Sequence, residues 1–280
     1  MLEPLLPLPP HASVYTVDAE GVELAVLDVN PPNAHSDVHL MHGFTGSKED
    51  FWELSAQLSQ LGYRVVAHDH RGQSQSSHSD GDAYTLEVLA NDAIEVTRQL
   101  GLRKPHALGH SFGGLVARRA IIVEPVIWSS ITLLCTGPAV PQPMVANLMR
   151  TIDILTDRTM PAAWQYFLDH ADQDVPIRAD ENPSSMYAQR WNRSDVYSVL
   201  AQAQILLTAV DETMELRVAA VPAHVVYGEN DDAWPLVEQD DVAARLGAPV
   251  TKIPGAGHCP NEDLPMITAQ VLSKWWATNS

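Results

Sequence analysis

The sequence predicts an α/β fold: a mostly parallel central sheet with helices on both faces and an inserted helical cap. Three observations carry this. From residue 37 to residue 134, short apolar runs alternate with stretches whose apolar residues repeat at helical spacing. The same rhythm returns from residue 223 onward. Between them, residues 137–219 break it: Met, Trp and Tyr recur at loose helical spacing, and Pro138, Pro141, Pro143, Pro161, Pro176 and Pro183 cut the stretch into short pieces. The chain therefore divides into a core, 1–136 and 220–280, and a cap, 137–219. The cap interrupts the sheet where ligands bind in such folds, beyond the carboxyl ends of strands, so it is expected to cover a site rather than only add a packing layer.

The elements follow in order. Residues 13–17 and 22–29 are strand-like runs around the turn-rich Asp18-Ala19-Glu20-Gly21 and predict an antiparallel hairpin. Residues 37–41 form a short strand that stops at His42-Gly43. A helix is predicted over 47–61, with Ser47 as its cap, Asp50 three residues on, Phe51, Leu54, Leu58 and Leu61 on one side, and Gly62 as its stop. Residues 63–68 are the next strand, and 85–100 a helix ended by Gly101. Strand 105–108, helix 112–123 and an apolar run at 126–134 complete the first half. After the cap come strand 223–227, helix 235–246, strand 249–253 and helix 264–276.

The chain has 280 residues, 45% of them hydrophobic, enough to bury one large core or a core with a small appendage. The formal net charge of −18 repels phosphate backbones and anionic lipid surfaces, which argues against nucleic acid and membrane as partners. The opening MLEPLLPLPP has no basic residue before its apolar stretch and carries four prolines, unlike a secretory signal; no apolar run reaches the roughly 18 residues of a membrane span. Two cysteines, Cys135 and Cys259, are too few for a disulfide framework and are expected to be free thiols in a reducing, cytoplasmic setting. Neither Gly-x-Gly-x-x-Gly after a strand nor a Gly-Lys-Ser/Thr loop occurs, so no cofactor is expected and the partner is a small-molecule substrate. Oligomeric state is not legible.

The sharpest local signal is Gly109-His110-Ser111-Phe112-Gly113, between a predicted strand and a predicted helix. A serine at such a turn needs small neighbours so that strand and helix can approach, and the helix amino end faces the place where negative charge develops. A serine hydroxyl is a weak nucleophile and needs a base. His258, in Gly255-Ala256-Gly257-His258 between the last strand and the last helix, is the candidate. The base needs a carboxylate to fix its tautomer. The loop Tyr227-Gly228-Glu229-Asn230-Asp231-Asp232 offers three; Asp231 is preferred, with Asp232 and Glu229 as alternatives. The amides of Phe44, after His42-Gly43, and of Phe112, next to the serine, are the expected oxyanion donors. His42 is expected to pack structurally beside the strand end. Weaker constellations are His68-Asp69-His70, whose alternation is what any strand shows, and Cys259, read as a loop filler; no metal site is predicted. Trp164, Trp191, Met144 and Met186 in the cap are candidates for an apolar pocket. Arg190 and Arg193 could meet a substrate carboxylate, though an acidic chain offers many other partners.

Together the hairpin, His42-Gly43-Phe44, the elbow 109–113, the insert after Cys135, the acid loop at 228–235 and Gly255–His258 resemble the α/β-hydrolase superfamily over nearly the whole chain, including its order Ser, Asp, His. The resemblance implies a mostly helical cap and hydrolysis of an ester, thioester, amide or activated C–C bond through an acyl-enzyme. A small to medium, largely apolar ester is the leading expectation. The alternatives are a C–C bond hydrolase of aromatic degradation, a lyase similar to the menaquinone-pathway cyclohexadiene-carboxylate synthase, a cofactor-free haloperoxidase-like activity, and a non-catalytic ligand receptor. Two departures stand out. Many members carry Asp-x-Arg-Gly-x-Gly-x-Ser where this chain has Asp69-His70-Arg71-Gly72-Gln73-Ser74-Gln75-Ser76, so that loop is expected to be shaped differently. The nucleophile position holds serine, not the aspartate of the dehalogenase and epoxide-hydrolase branches.

Overall fold

The computed structural model describes residues 1–78, 84–170, 182 and 184–279. Two of the prolines of the inserted stretch, Pro176 and Pro183, lie outside the described residues. The N-terminal hairpin pairs β1 (Ala12–Ala19) with β2 (Val22–Val29) in antiparallel register, Ala12 opposite Val29 and Ala19 opposite Val22. Its turn is tighter than the four residues expected: Glu20 and Gly21 alone reverse the chain, with φ of 54° and 90°, the positive values that match hairpin twist.

Next come β3 (Ser36–Met41), α1 (Trp52–Gln60), β4 (Tyr63–His68), α2 (Leu86–Gln99), β5 (His106–His110), α3 (Phe112–Val123) and β6 (Ser130–Leu134). The helix expected over 47–61 begins as a 3-10 turn, Lys48–Phe51, in which the Asp50 carboxylate accepts the Ser47 amide at 3.2 Å. The run at 126–134 is also not one element. Pro125, with no N–H to give a ladder, opens a short 3-10 turn at Pro125–Ile127, and β6 starts only at Ser130. Between β6 and β7 stand α4 (Gln142–Thr156), α5 (Met160–Asp169), α6 (Met186–Arg193), α7 (Val196–Thr208) and α8 (Thr213–Ala219). The fold closes with β7 (Ala223–Gly228), α9 (Leu236–Leu246), β8 (Val250–Ile253), a four-residue helix α10 (Pro260–Asp263) not expected from sequence, and α11 (Pro265–Trp276).

The eight strands form one sheet in the order β1-β2-β4-β3-β5-β6-β7-β8. Pairings from β4 through β8 are parallel; β2 runs against both β1 and β4. From β3 the chain steps one way to β4, whereas β5 steps the other way to β6. Right-handed crossovers therefore place α1 and α3 on opposite faces of the sheet. α1 packs with α11 on one face, and α2 with α3 on the other. Every residue of β5 and β6 is buried, as a strand covered on both faces must be. The order reverses between β3 and β5, and it is at their carboxyl ends that such sheets bind ligands. Among the described residues, no helix is long and apolar enough to cross a membrane.

Candidate active site

β5 ends at His110 and α3 begins at Phe112, so Ser111 alone turns the chain. Its φ of 53° and ψ of −119° are strained for any residue with a side chain. The turn closes because its flanks are glycine: a Cβ on Gly109 would lie 2.2 Å from the Gly113 carbonyl oxygen, and one on Gly113 2.1 Å from that of Met41. The Ser111 amide donates to the Leu134 carbonyl (3.0 Å), fixing the turn to β6.

Loops beyond β7 and β8 meet the same edge. The Glu229 amide donates to Ile253 O (3.0 Å) and the Asn230 amide to Ala256 O (2.9 Å), tying one loop to the other. Across this junction His258 Nδ1 and Asp231 Oδ1 are 2.8 Å apart, with the Asp231 side chain fully buried and that of His258 21% exposed. Asp231 Oδ1 also accepts the amides of Ala233 (3.0 Å) and Trp234 (3.2 Å), and Oδ2 the Gln239 amide group (2.9 Å). Burial pushes this carboxyl up, but the His258 hydrogen bond and charge and the further donors outweigh it and hold the pKa below its ordinary value. A carboxylate at this spot requires the Nδ1–H tautomer of His258 and leaves Nε2 as the acceptor. The competing acids stand elsewhere: Glu229 accepts the Gly255 amide (3.2 Å), and Asp232 is exposed.

Phe112 occupies the first position of α3, where an amide has no acceptor within its own helix. Phe44 follows Gly43, and a Cβ on Gly43 would sit 3.3 Å from Ser111 Cβ, which brings this loop against the serine. Two buried imidazoles shape the loop. The His70 amide donates to His42 Nε2 (3.1 Å), so His42 Nδ1–H donates to Gly43 O (2.9 Å), while His70 Nε2–H donates to His42 O (3.1 Å). Burial lowers the His42 pKa to about 3 and that of His70 far below its ordinary value, which keeps both neutral and these roles fixed. His42 is thus structural, as expected. His68 extends the array, its Nδ1 2.8 Å from His39 Nε2.

Sequence reasoning passed over His110, the variable residue of the elbow. Its Nε2–H donates to the His258 carbonyl (2.8 Å) and its ring centroid lies 5.0 Å from that of His258. Only its place between Gly109 and Ser111 could have singled it out. The Asp69–Ser76 loop departs from the family pattern at Ser74. Ser74 takes the place of the missing glycine in the left-handed conformation itself, at φ 48°. The residue type differs, but the positive φ that a glycine would serve is kept.

Trp164 and Trp191 are buried within the inserted helices, centroids 6.1 Å apart, and Phe167 meets Trp191 edge-on at 5.5 Å. The Phe44 ring packs against this cluster and against the main core. Met144 packs on the main core, and Met186 lies beside Arg190, with its sulfur 3.7 Å from Nη1. Arg190 is not offered to a ligand as a free cation: it is buried and ion-paired with Asp50, with its guanidinium 4.9 Å from the Tyr187 ring centroid. Arg193 is exposed. A cavity of about 430 Å³ between α2, α3, α7 and α8 includes none of these candidate residues.

Fold and site together define the class: a strained serine after β5 and a histidine–carboxylate pair after β8 and β7, at the carboxyl end of a mostly parallel sheet. The sequence profile of the Alpha/beta hydrolase family matches residues 40–271, and the chain belongs to that family. It is 26% identical over 234 residues to a "Non-heme haloperoxidase" of Rhodococcus erythropolis, covering 78% of this chain and 83% of the relative. It is 23% identical over 270 residues to a "Putative 2-succinyl-6-hydroxy-2,4-cyclohexadiene-1-carboxylate synthase" of Bacillus subtilis, covering 92% and 96%. Among solved structures, a protein from a study of carboxylesterases of the thaumarchaeon Nitrososphaera gargenis superposes with a TM-score of 0.77 at 19% identity, covering 95% of this chain and 98% of that one. These relatives support a hydrolase and leave its substrate open.

Proposed function

We propose that this chain is a serine hydrolase that cleaves a small to medium, largely apolar ester through an acyl-enzyme. The observation that carries the proposal is the 2.8 Å contact between His258 Nδ1 and the buried Asp231 carboxylate, together with a serine in a strained turn one residue past His110, whose Nε2 reaches the His258 carbonyl. Ser111 Oγ attacks the carbonyl carbon while its proton passes to His258 Nε2. Asp231 holds the ring and stabilises the imidazolium that forms. The amides of Phe44 and Phe112 receive the oxyanion. His258 then protonates the leaving alkoxide, and water, deprotonated by the same ring, releases the acid.

Residues 137–219 act as the cap. Phe44 joins the oxyanion loop to their aromatic cluster, so acyl-chain preference is expected to depend on Trp164 and Trp191, with Met144 and Met186 as further pocket candidates outside that cluster. Turnover of p-nitrophenyl esters from acetate to octanoate tests the proposal. Wild type is expected to turn over the shorter members and Ser111→Ala none of them. A folded wild type inert toward the whole series contradicts it. The Bacillus subtilis relative favours one second reading, elimination by the same three residues; there Ser111 remains reactive although no ester is cleaved.

A further inference from the structure

Acyl transfer as proposed has no use for the thiol of Cys135, yet that thiol lies against the site. β6, β7 and β8 are neighbours and parallel, so the loops at their carboxyl ends run side by side. Cys135, Asp231 and His258 each sit on one of them. Cys135 is the first residue past β6; its amide donates to Val226 O of β7 (2.9 Å), and its φ is 49°. That left-handed conformation is unfavourable for a residue with a side chain, and the surrounding structure imposes it. The outcome is a cluster in which the Cys135 sulfur, a carboxylate oxygen of Asp231 and a ring nitrogen of His258 all lie within 4.8 Å of one another. Thiolate, imidazole and carboxylate are the three donor types that zinc accepts. Bonds of about 2.0–2.3 Å in a tetrahedron put such donors roughly 3.4–3.7 Å apart, so the cluster needs a small rearrangement in which the 2.8 Å His258–Asp231 pair spreads and the farther donor draws in.

We propose that Cys135, Asp231 and His258 form a binding site for a thiophilic divalent cation of the zinc type, and that the bound cation reversibly silences the active site. The cation replaces one proton, that of the Cys135 thiol, which leaves to solvent; the Nδ1 proton of His258 moves to Nε2, so the ring binds as a neutral imidazole. Two negative ligands then balance its charge, and a water fills the fourth position. Access runs along His258, whose side chain is 21% exposed while that of Asp231 is fully buried. With its Nδ1 on a cation and its ring drawn toward Cys135, His258 can no longer accept the Ser111 proton. The silencing effect rests on the serine-hydrolase reading; the binding site itself does not.

The test uses two readouts on the full chain. Cobalt(II), a spectroscopic substitute for zinc, is titrated into wild type, Cys135→Ser, Cys135→Ala and Cys259→Ser, each checked for folding by circular dichroism. A thiolate-to-cobalt charge-transfer band in the near ultraviolet is expected in wild type and Cys259→Ser and absent in both Cys135 variants. In parallel, zinc inhibition of ester turnover is measured against each variant's own metal-free rate, with magnesium as control and a chelator to restore activity. Loss of one ligand in three is expected to weaken zinc inhibition by more than about tenfold. Absence of the band in wild type, its loss in Cys259→Ser instead, or equal zinc inhibition in wild type and both Cys135 variants overturns the site. A Cys135-dependent band in a protein that cleaves no ester sustains the site and counts only against the hydrolase reading.

Discussion

The strand-end loops and the inserted helices both hold side chains at the same end of the sheet, but by different means. In the loops the backbone does it. Ser111 is placed by a turn that leaves no room for a Cβ on either flanking glycine, and its amide is fixed to β6. In the insert, side chains do it. Trp164, Trp191 and Phe167 pack on one another, and Arg190 reaches back to Asp50 on the core. Around them, the Ser198 hydroxyl donates to Arg71 O (2.8 Å) and the Ser194 hydroxyl accepts the Ser74 amide (2.9 Å). Backbone constraint leaves short, recognisable sequence patterns and tolerates almost no change. Packing leaves diffuse ones and tolerates volume-conserving change.

Substitutions can break or sharpen this contrast. The largest expected effect is on chemistry: Asp231→Asn should lower kcat by about 10³–10⁴-fold with little change in KM, because the asparagine favours the wrong tautomer of His258. Steady-state kinetics decides it, and a loss under tenfold would remove Asp231 from its role. Gly113→Ala should destabilise the fold by about 3 kcal/mol or more, since the new Cβ meets the Met41 carbonyl oxygen at 2.1 Å. Denaturant unfolding measures it. Arg190→Met leaves Asp50 buried and unpaired, a loss of about 3 kcal/mol if the whole fold feels it. Here the contrast predicts something narrower: hydrogen exchange should rise in α5 and α6 while β5 and β6 stay protected.

The pH dependence belongs to the strands and their loops, not to the insert. Burial depresses His39 and His42 to about 3, and His106, His110 and His224 to about 4, from 6.5 in the unfolded chain. Between these values the unfolded state binds more protons, so stability is full above about 6.5 and falls as the pH is lowered toward 4. Thermal melts from pH 7.5 to 4.5 should show a monotonic fall, and a flat profile would contradict the neutral buried array. The smallest effect is Ser74→Gly, which relieves a left-handed serine at φ 48° and should be neutral to stabilising by less than about 1 kcal/mol.

The same contrast explains what could be read in advance. Sheet, hairpin, elbow, acid loop and histidine loop were legible because apolar period and glycine placement encode them directly. The Asp231–His258 contact was legible in the same way, since each residue follows a strand, and parallel neighbours put those ends together. The left-handed conformation of Ser74 was not legible, because its residue type does not announce it. Pro125 hid the true start of β6 inside a continuous apolar run. Arg190 and His110 were opaque for a different reason. Their partners, Asp50 and the His258 carbonyl, lie 140 and 148 residues away, and nothing local announces such a contact.

The most direct measurement of the central claim is labelling by a fluorophosphonate probe, with the modified peptide identified by mass spectrometry. Wild type should carry the label on Ser111, Ser111→Ala should carry none, and His258→Ala and Asp231→Asn should label far more slowly. Equal labelling rates across wild type and the His258 and Asp231 variants, or a label on another residue, would show that Ser111 is not activated by this pair and would contradict the account.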